Sequence, residues 1–351
     1  MKYNYFYLYA AVLFISALTA ATVTAQSILP PDTPGYTFEF YDSDNGLTNH
    51  YITSLAHGGK HGLFTGSWDG VMKFDGSVFT KLDGGSGRIE GVAPQFISSL
   101  YYDEPTDTLW IGSMFNKNAG LFKYHNGHFT RYCSLDGLPS DNVSAVCSDG
   151  QKIYAGTWGG GIAVFDGTKF EVISKKNGLS DNYINSMAYS PKTSTLWAAS
   201  KLSGANLIKD RKIIVMDDHT SSLVNNYVHK LAVDDSENIV YFGTSGGVSK
   251  FNGAAWQNII TGAAWQNIIT GAATISDNFI KDIFIYKPKS SYKSTIYYIS
   301  ANNVSISNDN SFQNINIKKL SGRELELNAI SADENYIYLA TDRGLGKIGR
   351  R

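Results

Sequence analysis

Trp68 and Trp158 stand in short glycine-flanked runs, SWDG and TWGG. A flat apolar ring beside planar hydrogen-bonding groups is the equipment of sugar or peptide recognition. The residues that could do catalysis are scattered. Seven histidines occur, His50, His57, His61, His125, His128, His219 and His229, and none forms a metal-ligand pair. His57 and His61 are four apart, but Gly58-Gly59 between them reads as a hairpin turn. No G-x-S-x-G elbow lies between a strand and a helix. Asp217-Asp218-His219 and Asp234-Asp235 fall in predicted turns, where aspartate bonds local backbone. The expectation is therefore a binding protein with no catalytic residues, no metal and no cofactor.

Composition narrows the partners. In 351 residues, 30 Lys+Arg oppose 31 Asp+Glu, a net charge of −1 that argues against nucleic acid as a ligand. Aromatic content of 13% with only 17% charged residues suits an all-β protein on a secretory route. Residues 1–25, with Lys2, an apolar run and Val23-Thr24-Ala25, have the pattern of a secretory signal peptide. Residues 26–35, carrying Pro30, Pro31 and Pro34, read as an extended leader. No lipid-anchor cysteine follows and no second apolar run could span a bilayer. The protein is thus expected in the periplasm or outside the cell, without membrane insertion after cleavage. Cys133 and Cys147 are expected to be reduced and buried in different blades.

The elements that must position these residues come from an internal repeat. GLTNHYITSL (46–55), GLPSDNVSAV (137–146) and GLSDNYINSM (178–187) share a Gly-Leu turn followed by two aliphatic anchors. The anchor pair recurs as Ile52/Leu55, Ile97/Leu100, Val143/Val146, Ile184/Met187, Val228/Leu231, Ile280/Ile283 and Leu327/Ile330. An aromatic follows the first anchor by 11 to 17 residues: Phe64, Trp110, Tyr154, Trp197, Tyr241, Tyr297 and Tyr338. A Ser or Thr closes each of those runs. Third runs such as VMKFDG (71–76) and IAVFDG (162–167) end in Asp-Gly, which predicts two-residue hairpins with positive φ at both central positions. Fourth runs open with Phe79, Phe129, Phe170, Trp256 and Phe312.

Four short strands at a period of 41 to 52 residues predict a β-propeller with seven blades over 36–351. The last repeat stops after its third strand, and the missing fourth lies ahead of the first repeat. Phe38 precedes Gly46 by eight residues, as Phe170 precedes Gly178. The N-terminal strand should therefore complete blade 7 and close the ring. GAAWQNIIT occurs twice, at 253–261 and 262–270, and only one copy can serve as the fourth strand of blade 5.

These repeats resemble those of the two-component regulator propeller family. The matching residues include Gly137-Leu138, Asn142, Tyr154-Ala155-Gly156-Thr157, Gly160-Gly161 and Phe165-Asp166-Gly167. In that family such propellers form the extracytoplasmic sensor of hybrid histidine kinases, and many are implicated in carbohydrate sensing. The chain departs from the family plan, with no second propeller, β-sandwich domain, membrane span or kinase after the repeats. The resemblance thus implies the fold and a recognition role and does not carry signalling.

In an up-and-down blade the inter-blade connections and the loops between second and third strands share one face around the channel. That face should carry His50, Tyr51, Phe96, Asn142, Tyr183, Tyr227 and Phe279 from the connections. It should carry Trp68, Asp69, Phe115, Asn116, Lys117, Trp158, Lys201, Asp342 and Arg343 from the loops. The expected ligand site is Trp68, Asp69, Trp158, His50, Tyr51, Asn116, Lys117, Tyr183 and Arg343, taking a glycan, a peptide or a partner protein. Aromatics just before the anchor recur in five repeats, which reads as packing between blades. The recurrent Asn49, Asn182, Asn226 and Asn278 read as turn residues. The loop with Lys287, Lys289 and Lys293 reads as a solvated hairpin on the opposite face. Rival expectations are a propeller lyase with His50 as the acid–base group, and a structural part of an envelope or secretion assembly.

Overall fold

The computed structural model describes residues 35–83, 93–261, 275–288, 291, 293–308 and 311–350. The signal peptide, the leader up to residue 34, the second GAAWQNIIT copy and Lys289 lie outside the described residues. Runs rich in β-branched and aromatic residues form seven four-stranded antiparallel sheets. Their first strands are Ile52–His57, Ile97–Asp103, Val143–Ser148, Ile184–Ser190, Val228–Asp234, Asp282–Tyr286 and Leu327–Ala332. These seven stand side by side around a central channel, and the later strands of each blade step outward. The fourth place of blade 7 is filled by Tyr36–Tyr41, paired with Leu345–Arg350 from Tyr36 opposite Arg350 to Tyr41 opposite Leu345. The molecule is an all-β seven-bladed propeller closed by its N-terminal strand. Trp256–Ile259, from the first GAAWQNIIT copy, supplies the fourth strand of blade 5. Among the described residues no helix is long and apolar enough to cross a membrane.

Because both faces of every sheet meet another sheet, the buried apolar residues form seven clusters, one at each interface between blades. The blade 7–blade 1 cluster joins Ile52, Met72, Phe74 and Phe79 to Ala329, Tyr338, Ala340 and Leu345. The aromatic column of the second strands lies in these clusters, buried everywhere except at half-buried Tyr154.

A second, polar device circles the channel. In six blades the first strand carries a register shift immediately after its anchor. The residue one past the anchor then reaches the anchor carbonyl of the next blade. Thr53 donates to Ile97 O at 2.6 Å, Ser98 to Val143 O at 2.5 Å, Asn185 to Val228 O at 3.1 Å and Asn328 to Ile52 O at 2.9 Å. Ser144 donates likewise to Ile184 O. Each such bond contributes about 1 kcal/mol and would leave a polar group unpaired if lost. The belt stops at blades 5 and 6, where His229 and Lys281 hold this position.

Two expectations need correction. Asp75-Gly76 and Asp166-Gly167 do not make two-residue hairpins: Phe74 pairs with Phe79 and Phe165 with Phe170, which leaves four-residue loops. The aspartate is the cause. Asp166 Oδ1 accepts the N–H of Thr168 at 2.8 Å and of Lys169 at 2.9 Å, which a turn with positive φ at Asp166 would not present. Asn126-Gly127 does form the two-residue type, with φ of 50° and 80°. Both cysteines are free, and Cys147 is buried with its thiol pushed well up by desolvation, but Cys133 is only half-buried. It lies just beyond the strand His128–Tyr132, where it precedes a one-turn helix rather than entering an interface.

Ring closure has a polar lock of its own. Lys347 Nζ lies 3.1 Å from Glu39 Oε2 and 4.1 Å from the Tyr336 ring centroid. The Tyr41 hydroxyl and then Lys347 hold the Glu39 carboxyl below its ordinary range. A chain starting at Asp42 should lose this lock and the whole ladder to Leu345–Arg350. We expect its melting temperature to fall by at least about 10 °C, with faster cleavage in limited proteolysis. An unchanged melt would mean that the ring is held elsewhere.

Candidate functional site

One short scheme builds the channel face in blade after blade. At the third position before the anchor, an Asx oxygen accepts the N–H two residues on: Asn49 from Tyr51 at 2.9 Å, Asn225 from Tyr227 at 2.8 Å and Asp277 from Phe279 at 2.9 Å. At the next position Asn182, Asn226 and Asn278 accept from Lys175, Asp218 and Thr261 N–H at 2.8, 2.9 and 2.5 Å, tying down the end of the preceding blade. The recurrent asparagines therefore serve two columns, and in both they bond backbone. On the far side of the corner, the Ser or Thr ending the second strand hooks the glycine that opens the third. Thr157 donates to Gly161 O, Thr244 to Gly247 O and Thr341 to Gly344 O, all at 2.8 Å. Gly247 has φ of 126°, and a Cβ there would stand 2.6 Å from Ile259 O, so the hook requires glycine.

Pinned this way, the residue just before the anchor turns its side chain outward. Phe96, Tyr183 and Phe279 are 39%, 45% and 42% exposed, beside Trp68 at 49% and Phe115 at 64% from the loops. Three of the five recurring aromatics therefore face solvent rather than packing between blades as expected, because the anchor next to each already fills the interface, while Tyr51 and Tyr227 are half-buried. They gather into three groups around the channel mouth. Trp68 lies 4.9 Å from Tyr51 and 6.0 Å from Phe96. Trp158 lies 5.3 Å from Phe115 and 6.3 Å from Tyr183, with Lys201 Nζ 4.7 Å above its ring. His229 lies 4.3 Å from Tyr227 and 4.6 Å from Phe279. Phe96 and Phe115 sit at φ of 52° and 57°. Bulky side chains seldom take the left-handed region, and holding one there costs on the order of 1–2 kcal/mol. Both phenylalanines are exposed, on the face that carries the other aromatic groups.

The expected site residues divide on this geometry. Trp68, Tyr51, Tyr183 and Trp158 come together in the aromatic groups, and an antiparallel bridge joins Trp158 to Tyr183. Asp69 is held 3.1 Å from Lys81 Nζ. Asn116 spends its amide on the loop: Nδ2 donates to Gln95 O at 3.2 Å and Met114 O at 3.0 Å, while Oδ1 accepts from Asn118 N–H at 2.8 Å. His50 and Lys117 are exposed, and Arg343 Nε lies 3.5 Å from Asp342 Oδ2.

Sequence reasoning missed the charged wall of the channel. Lys281 Nζ is 2.6 Å from Glu326 Oε1, and Lys230 Nζ is 2.8 Å from Asp282 Oδ1. His229 Nε2 is 2.8 Å from Ser245 Oγ. The signal was present in the belt column, where Thr53, Ser98, Ser144, Asn185 and Asn328 give way to His229 and Lys281. The channel cavity measures about 250 Å³. A larger cavity of about 550 Å³ lies at the outer rim between blades 3 and 4, beside Tyr154, Ile173, Tyr189 and Ile213. It is the wedge left where outer strands splay apart, and none of the exposed aromatic groups reaches it. Among the described residues no group of three His, Cys, Asp or Glu could hold a metal ion.

No protein-family model matches the chain, and no curated protein does. Solved structures match with this seven-bladed plan. The extracellular domain assigned to a hybrid two-component system of B. thetaiotaomicron superposes with a TM-score of 0.70 at 19% identity, over 89% of this chain and 42% of that one. The chain thus spans less than half the length of that domain. The likeness is one of fold. Virginiamycin B lyase from Staphylococcus aureus matches with a TM-score of 0.64 at 12% identity, over 90% of this chain and 99% of that one. YCF48 bound to D1 peptide matches with a TM-score of 0.63 at 11% identity, over 92% and 99%.

Burial, and then the charge of Lys281, hold the His229 imidazole below its ordinary 6.5. Burial lowers His57 as well, against the pull of Asp333. The unfolded chain takes up protons near pH ~6.5 that these folded imidazoles refuse, so stability is full above that pH and declines as pH falls through it. Thermal melts between pH 7.5 and 5.5 should show a falling melting temperature, and His229→Gln should remove part of the slope. An identical slope in the variant would show that His229 does not resist protonation.

Proposed function

We propose that the chain is a non-catalytic extracytoplasmic recognition propeller that binds a saccharide across the aromatic groups at the channel mouth. The observation that carries this reading is the set of exposed rings on one face, two of them held at positive φ. Exposed rings around a rim stack on the apolar faces of sugars, and nearby amides, carboxylates and cations take the hydroxyls. A rigid frame with short loops suits binding without closure. The repeat resemblance and the fold neighbour that is the extracellular domain of a hybrid two-component system support the location and the role. A peptide is the second reading, favoured by the fold neighbour bound to D1 peptide. The lyase neighbour makes turnover a result to test for, with His50 or His229 as the group at the mouth.

The test is an array of oligosaccharides and peptides followed by calorimetry, with products assayed by mass spectrometry. A saccharide should bind unchanged by turnover, and Trp68→Ala should weaken it by at least about tenfold. Phe115→Asn should also weaken it while raising the melting temperature by about 2 °C, since asparagine tolerates positive φ. Peptide binding alone would favour the second reading. A cleaved or eliminated product would overturn the non-catalytic one.

A further inference from the structure

The belt that ties neighbouring blades breaks at two adjacent positions, and both replacements line the channel. Five blades use Thr, Ser or Asn there to bond the next anchor carbonyl, whereas blades 5 and 6 carry His229 and Lys281. In place of that bond Lys281 pairs with Glu326, the residue just before the blade 7 anchor, so the tie to the next blade is kept but runs through a surface carboxylate. The pair is lopsided: the Lys281 side chain is 19% exposed and that of Glu326 is 57% exposed. The cation is set into the wall, and its counter-charge is the half free to leave. The neighbouring Lys230–Asp282 pair differs, because Asp282 is 7% exposed and Oδ2 also accepts Ile330 N–H at 2.9 Å, which makes it a fixed joint.

Lys281 also lies between two aromatic groups. On one side its charge acts on His229, which Phe279 covers at 4.6 Å. On the other, its partner Glu326 stands just before the blade 7 anchor, next round the ring from Tyr51 of blade 1, which lies 4.9 Å from Trp68. A cavity of about 360 Å³ opens beside Glu326, lined by Asn302, Glu324, Asp342 and Arg343, with Glu324 paired to Lys318 and Asp342 to Arg343. Arg343 is exposed and can turn toward an arriving anion as a second, planar donor.

We infer that Lys281, with Arg343, is a subsite for the carboxylate of an acidic saccharide, and that Glu326 occupies it until ligand arrives. This rests on the reading of the aromatic face as a saccharide site. A uronate ring would stack on the rings to either side while its carboxylate replaces that of Glu326 on Lys281. Glu326 then acts as a built-in competitor that neutral sugars never have to displace.

The test uses uronate oligosaccharides from polygalacturonate, alginate and hyaluronate, each beside its carboxyl-reduced counterpart, titrated calorimetrically into the wild-type chain. We expect at least one acidic member to bind about tenfold tighter than its reduced form, and the advantage to shrink in high salt. Lys281→Gln should erase the advantage, and Lys281→Arg should retain it. Glu326→Gln should tighten the acidic ligand severalfold and leave its reduced form unchanged, which a merely structural ion pair would not produce. Trp68→Ala should weaken both members. Equal binding of acidic and reduced forms, or an advantage that survives Lys281→Gln, would overturn the subsite while the aromatic reading stands. If only neutral sugars on the wider array bind, the subsite is again overturned alone. If no saccharide binds, both readings fall.

Discussion

Seven wedge-shaped sheets packed face to face are stable only if the circle closes, and closure here depends on one ladder between strands about 300 residues apart in sequence. Without Tyr36–Tyr41, the strand Leu345–Arg350 would present its backbone groups to water. The blade 7 interfaces would lose Tyr36 and the phenylalanines packed beside it. Lys347 shows how fully this edge is interior: a cation 8% exposed, sandwiched against Tyr336 and matched by Glu39. The pairing also brings blade 7 against blade 1, so that the belt of bonds between first strands, which skips blades 5 and 6, can cross the seam. Asn328 donating to Ile52 O is that last link.

Scaffold and site are built from the same positions. The anchor is buried between blades, the residue after it ties the blades together, and the residue before it points outward. A repeat that satisfies packing therefore generates a ring of outward side chains without further design. Where these are aromatic and the backbone beneath is at positive φ, as at Phe96, the face holds strain that the frame absorbs. The channel wall follows the opposite logic, because its informative residues are the two that abandon the scaffold's bond.

Much of the frame was legible because apolar columns survive repetition. The anchors, the aromatic column and the distance from Phe38 to Gly46 suffice to count blades and place the closing strand. Asp75 and Asp166 misled, since a carboxylate that captures two N–H groups turns an apparent two-residue hairpin into a four-residue loop. The one-turn helices before Gly46 and Gly178 were marked by Asp42 with Asn45, and by Ser174 with Asn177, whose reciprocal caps are too short to show periodicity. Trp68 and Trp158 stood out because they lie outside the repeated columns. His229 and Lys281 did not, because their meaning depends on what the same column does in five other blades, and that role is a bond to a carbonyl which no composition reveals.

The Ser/Thr hook onto glycine has a broader implication for how such a molecule diversifies. It holds the corner between second and third strands with one hydroxyl and one carbonyl, so exposed side chains in between, such as Arg343, are little needed by the frame, although Asp342 still accepts Glu326 N–H. Substitution at those exposed positions rewrites what the rim displays at little cost to folding. A lineage built on this frame can change its chemical vocabulary one corner at a time, much as an immune receptor varies its loops over a constant sandwich.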